Sequence, residues 1–261
     1  MLTNASFIKG LVIHATDGEL GTVDQFLFDD RSWAIRYLTV ETAGWLGGRR
    51  VLLSPMSIIR TDWQANRLDV ALTKKQVENS PDIDTHQPVS RQHEVDLLGY
   101  YGYPYYWGGP YLWGPAFYPM GIPIGQPVAA SHQKGSQDSH LRSSKAVHGY
   151  HIETTDGEIG HLDGFVIDDE TWSIRYIEVA TRNWLPGKKV LLSPEWIDRV
   201  SWLDHTVHAA LATDSIKDAP EYVMSRPLTR EYENALYFHY GRPPYWLHDV
   251  ERKAAGSLTS V

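Results

Sequence analysis

Cysteine is absent from the 261 residues, so the chain can build neither a disulfide framework nor a thiolate zinc site. That absence fits a reducing compartment such as the cytoplasm. Basic runs are missing too: no stretch of Lys and Arg exceeds a pair, and the net charge is −8. A nucleic-acid backbone needs a concentrated basic face, so the composition weighs against nucleic acid as the main partner and none is expected. No apolar run reaches the roughly 18 residues that a membrane-spanning helix takes. The opening MLTNASFIKG lacks the basic and then apolar order of a secretory signal. A G-x-S-x-G elbow, a P-loop, a G-x-G-x-x-G after a strand and an H-E-x-x-H pair are all missing. These gaps predict a protein that is not an enzyme, with no cofactor and no metal.

What is present is an internal duplication. Residues 17 to 42, DGELGTVDQFLFDDRSWAIRYLTVET, return as DGEIGHLDGFVIDDETWSIRYIEVAT from Asp156 to Thr181. The shift is 156 − 17 = 139, shared by Asp30/Asp169, Trp33/Trp172, Arg36/Arg175 and Ser54/Ser193. Each copy reads as a β-hairpin, because two apolar runs flank a polar loop, Asp29-Asp30-Arg31-Ser32 in the first. That loop predicts Phe28 opposite Trp33, Phe26 opposite Ile35 and Asp24 opposite Tyr37, with Asp163 opposite Tyr176 in the second copy. Both faces are mostly apolar, which suits a bent sheet closing on itself.

Around the hairpins, short strands are expected at residues 10–15, in VLLSP and SIIRTDW, and at 67–71, with a corner at Pro55. Thr73 to Gln76 has capping-box spacing and opens a short helix that Pro81 ends. Ser90 and Thr229 cap helices of about ten residues, followed by matching aromatic straps, YYGYPYYW (100–107) and HYGRPPYW (239–246). The chain therefore divides into residues 1–107, a 108–144 connection that is aromatic and Pro/Gly-rich and then polar, residues 145–247, and a tail 248–261 read as frayed. With 15 Pro and 21 Gly the composition fits an all-β barrel or sandwich.

The order of a strand, a D-G-E-x-G turn, a strand ending in Asp, a strand with I-R-Y, a Gly/Trp loop and V-L-L-S-P resembles the PRC-barrel family. This β-barrel domain is known from the cytoplasmic part of the H-type component of photosynthetic reaction centres and from a ribosome maturation factor. The likeness spans roughly residues 6–80 and 145–220. It implies two tandem PRC-type barrels, each followed by short helices and a strap and related by a pseudo-two-fold axis, that dock onto a larger complex. Neither the N-terminal membrane helix of the first relative nor the separate N-terminal domain of the second is expected here. A stand-alone tandem form is therefore expected.

Several residues are candidates for chemistry. Asp29-Asp30 and Asp168-Asp169 read as turn initiators before they read as metal ligands. Asp24/Tyr37 and Asp163/Tyr176 read as structural polar pairs, or as a proton- or small-ligand-handling device if the acid is buried. Arg36 and Arg175 are expected to pair with a carboxylate from another strand or from the strap. His148, His151 and His161 gather near the start of the second repeat, but His148 and His151, like His205 and His208, lie three apart and are poorly placed on extended chain to share a metal. Trp45 and Trp184 at matching loop tips, with Tyr105, Trp107, Tyr245 and Trp246 in the straps, are the candidate partner contacts. The favoured reading is a non-enzymatic assembly module with an unidentified protein partner or a second copy of itself. It would be cytoplasmic, with peripheral contact at the inner membrane left open through the 100–125 aromatics.

Overall fold

The structure, a computed structural model, describes residues 1–42, 44, 46–81, 89–121, 140–181 and 188–247. It is mainly β. The first repeat supplies β1 (Leu2–Asn4), β2 (Val12–Ala15), β3 (Gly18–Asp29), β4 (Ile35–Thr42), β5 (Arg50–Leu53), β6 (Ile58–Asp62), β7 (Arg67–Val70), α1 (Lys74–Glu78) and α2 (Arg91–Tyr101). The second supplies β8 (Leu141–Ser143), β9 (His151–Glu153), β10 (Glu158–Asp168), β11 (Ser173–Ala180), β12 (Lys189–Leu192), β13 (Ile197–Ser201), β14 (Thr206–Ala209), α3 (Thr213–Lys217) and α4 (Arg230–Tyr240). Two seven-stranded sheets result, in the orders β5-β4-β3-β2-β7-β6 and β12-β11-β10-β9-β14-β13, with β8 beside β3 and β1 beside β10.

Local chemistry explains the punctuation. Thr73 and Gln76 form the expected capping box, and Ser90 caps α2 through the His93 amide. Gly102, left-handed at φ 70°, ends that helix. Pro55 opens a one-turn 3-10 helix behind Ser54, which makes the expected corner. Asp29 Oδ1 accepts from the amides of Arg31 and Ser32 at 2.9 and 3.0 Å, so the first acid of each pair holds its turn. Asp168 does the same through Glu170 at 3.1 Å.

The hairpin register differs from expectation. Phe28 faces Ile35, Leu27 faces Tyr37, Phe26 faces Leu38 and Gln25 faces Thr39, with irregularities between Val23 and Gln25 and between Leu27 and Phe28. Trp33 takes a left-handed φ of 54° and joins the turn, so that Phe28 pairs with Ile35 and not with Trp33. Asp24 falls in the bulge and is not opposite Tyr37. Phe28 and Trp33 still stack, with ring centroids 5.4 Å apart.

The chain divides into two compact units. The first holds Met1–His148 together with Gly164–Tyr176, the tip of the second hairpin. Its core includes Ile8, Leu11, Ile13, Leu20, Ile35, Leu38 and Leu68, all fully buried. Each such side chain contributes about 1.5–3 kcal/mol on leaving water. Inside this unit the repeats interlock. β1 pairs antiparallel with the end of β10, Leu2 facing Asp168, while β8 pairs with the end of β3, Leu141 facing Asp29. The two turns also meet: the Ile35 amide donates to the Trp172 carbonyl at 2.8 Å and the Ile174 amide to the Trp33 carbonyl at 2.7 Å. Phe165 packs its ring 5.7 Å from Phe26 and 5.6 Å from Phe28, and Trp172 is 2% exposed. Residues 141–143, read from the sequence as the end of a linker, are thus a sheet strand.

The second unit contains Gly149–Asp163 and the described residues from Ile177 onward. β9 pairs with β10 and, in parallel, with β14, while β11 pairs with β12. Its core gathers Ile152, Ile159, Ile177, Val179, Val190 to Leu192 and Leu236.

Candidate functional site

A cluster of buried polar side chains in the first unit converges on Glu94, in the first turn of α2 and 0% exposed. β4 contributes Tyr37, whose phenol donates to Glu94 Oε2 at 3.2 Å. The strap after α2 contributes Tyr106, whose phenol donates to the same oxygen at 2.5 Å. Arg91, one turn before Glu94, reaches Oε1 at 3.2 Å and Tyr106 Oη at 3.0 Å. His140, just before β8, places Nε2 2.8 Å from Tyr106 Oη and 3.3 Å from Glu94 Oε1. Arg91 Nη2 lies 3.4 Å from His140 Nδ1. A guanidinium only donates, so Nδ1 is assigned as the acceptor and Nε2 carries the proton.

Arg36 closes the cluster. Its guanidinium stacks 3.9 Å from the Tyr106 ring centroid and 4.8 Å from that of Trp113. It donates to the Leu112 carbonyl at 2.7 Å and to Ser32 Oγ at 3.0 Å, with Asp29 Oδ2 at 4.0 Å. Asp29 Oδ2 is also 3.8 Å from His140 Nε2. Trp113 is buried and donates from Nε1 to the Thr171 carbonyl at 2.8 Å, fixing the strap at a second point. Residues 108–121, which the sequence left undecided, are therefore bound into this unit.

Burial dominates the electrostatics. It raises the Glu94 carboxyl to about 7, against the opposing pull of Arg91, of the bonds from Tyr106 and Tyr37, and of Arg36. Burial, then the Arg91 charge, lowers His140 to about 4, which keeps its imidazole neutral. Burial and the facing Glu94 push the Tyr37 and Tyr106 phenols well above their usual range. Among the described residues no group of three or more His, Asp or Glu side chains is arranged to hold a metal ion.

The expected pair Asp24/Tyr37 is not formed, because the bulge re-aims Asp24. Asp24 bonds Lys145 at 2.5 Å and Tyr37 bonds Glu94. In the second repeat Asp163 is bridged by Lys189 at 2.6 Å, and Tyr176 is fully buried. Arg175 donates to Asp168 Oδ2 at 3.2 Å. Arg36 takes strap carbonyl and aromatic partners, with Asp29 as its nearest carboxylate. Histidines lie beside carboxylates: His151 is 2.9 Å from Glu158 and His208 2.8 Å from Glu153.

The strap aromatics lie on their own units. Tyr105 stacks on Trp107 at 5.0 Å, and Arg91 lies 3.9 Å over Trp107. Tyr245 is buried and donates to Glu233 Oε1 at 3.2 Å, which removes it as an outward contact. Arg230 lies 4.0 Å over Trp246 and pairs with Glu233 Oε2 at 3.0 Å. Trp45 and Trp184 fall outside the described residues. Sequence reasoning missed Glu94, Arg91, Tyr106 and His140. The available signal was recurrence: Arg91/Arg230, Glu94/Glu233 and Tyr106/Tyr245 all keep the shift of 139 (230 − 91, 233 − 94, 245 − 106). At the same shift, Met1 stands where His140 does (140 − 1). Comparison with known protein families and with curated proteins returns no match.

Proposed function

We propose that the chain is a tandem PRC-barrel-type assembly module, one polypeptide standing in for a homodimer of repeats, which holds a protein partner and performs no catalysis. In this reading each sheet closes on itself as a barrel and a pseudo-two-fold axis relates the repeats. The observation that carries it is the reciprocal strand pairing, β1 on β10 and β8 on β3, in which each repeat's leading strand completes the other's sheet. Such an exchange ties each repeat's leading strand to the other repeat's hairpin and suits a chain that stands in for two copies. The buried ionisable groups are tied to neighbouring side chains and carbonyls of the fold. Among the described residues no helix is long and apolar enough to cross a membrane. We place the protein in the cytoplasm, with any membrane contact peripheral.

Crosslinking in the native cell followed by native mass measurement tests this. A stoichiometric complex, with a partner protein or a second copy, is expected at micromolar concentration. A chain that stays monomeric and uncrosslinked at every concentration overturns the proposal.

A further inference from the structure

We propose that Glu94 is the proton-binding centre of a latch: the strap from Tyr103 to Trp113 docks over α2 with uptake of a proton and loosens as that proton leaves. The inference does not depend on the assembly reading, since it concerns how the first unit holds its own strap.

The geometry supplies the coupling. Glu94 is enclosed from every side by a separate element: Tyr37 and Arg36 from β4, Arg91 from its own helix, Tyr106 from the strap, His140 from the lead into β8, and Asp29 behind them on β3. In this proposal the strap is the wall that moves. It is tied by the Tyr106 phenol to Glu94, by the Leu112 carbonyl to Arg36, and by the Trp113 indole to Thr171. Lifting it would wet the carboxylate and return it toward its unperturbed value of 4.5. Docking dries it and raises its proton affinity.

The sign follows from linkage. The docked state binds the proton more tightly than the undocked state, so docking is favoured fully below pH 4.5 and that advantage is lost as pH rises through about 7. Over that interval the undocked-to-docked ratio should rise on the order of a hundredfold. His140 does not compete, because Arg91 at Nδ1 and burial keep the imidazole neutral.

The test uses the full chain. Amide exchange of residues 103–113, corrected for the intrinsic pH dependence of exchange, should lose protection by about thirtyfold between pH 5.5 and 8.5. Glu94→Gln, which mimics the protonated acid, should hold protection across that range. Glu233→Gln should leave the 103–113 profile unchanged. Carbon-13 NMR of the Glu94 carboxyl in the unmodified chain should titrate near 7. A midpoint near 4.5 overturns the proposal whether or not the variants fold. So does strap protection that ignores pH, or an equal response from Glu233→Gln.

Discussion

The interlocking of the repeats makes Phe165 an informative side chain. It belongs to the second hairpin, yet its ring is 4% exposed and lies against Phe26 edge-on at 69° and against Phe28 at 56°. Phe165→Ala removes a buried ring from a core that cannot fully collapse, at a cost of about 3–5 kcal/mol. For a chain of this size that lowers the melting temperature by roughly 6–20 °C. Phe26→Ala, at the other side of the same contact, should cost a similar amount. The aromatic contact adds about 0.5–1.5 kcal/mol beyond area burial, so the double variant should be less destabilised than the sum of the singles by about that amount. Urea unfolding of the four proteins, followed by far-ultraviolet circular dichroism, measures this coupling. Losses that add within about 0.3 kcal/mol would refute a core shared by the two hairpins.

Other substitutions probe the local devices. Gly21→Ala places a Cβ 2.0 Å from the Glu41 carbonyl oxygen at φ +147°, and Gly160→Ala one 1.9 Å from the Ala180 oxygen at φ +67°. Each should cost about 2–3 kcal/mol in denaturant unfolding, while Gly149→Ala, at φ +88° with nothing within 4 Å, should cost only about 1–2 kcal/mol. Thr73→Ala deletes the α1 capping box and should lose about 1 kcal/mol by the same assay. Arg36→Lys keeps the charge but loses the planar stack between Tyr106 and Trp113. It should speed amide exchange of residues 103–113 several-fold, and an unchanged rate would remove Arg36 as a strap anchor.

Much of the fold was legible because duplication repeats most of the punctuation, although Ala212 replaces the Thr73 cap in the second copy. The turns at Asp29 and Asp168, the Thr73 cap and the Ser90 and Thr229 caps are local, and local chemistry reads directly from sequence. Register was not legible. One left-handed residue, Trp33, and bulges at two points of β3 moved Asp24 away from Tyr37, and neither leaves a compositional trace. The strand exchange was hidden for another reason: LTN and LRS are three residues each, too short to show a period. Glu94 looked like an ordinary acid in a first helical turn, where it favours the helix dipole. Its burial depends on Tyr106 and His140, which are 12 and 46 residues away (106 − 94, 140 − 94) and meet it only in the folded unit.

The direct test of the interlocked duplication is to place a protease site between residues 122 and 139, cut the folded chain there, and measure its native mass. If each leading strand completes the other repeat's sheet, the two fragments should stay together at the mass of the intact chain at micromolar concentration. Fragments that part into monomers without denaturant would contradict it.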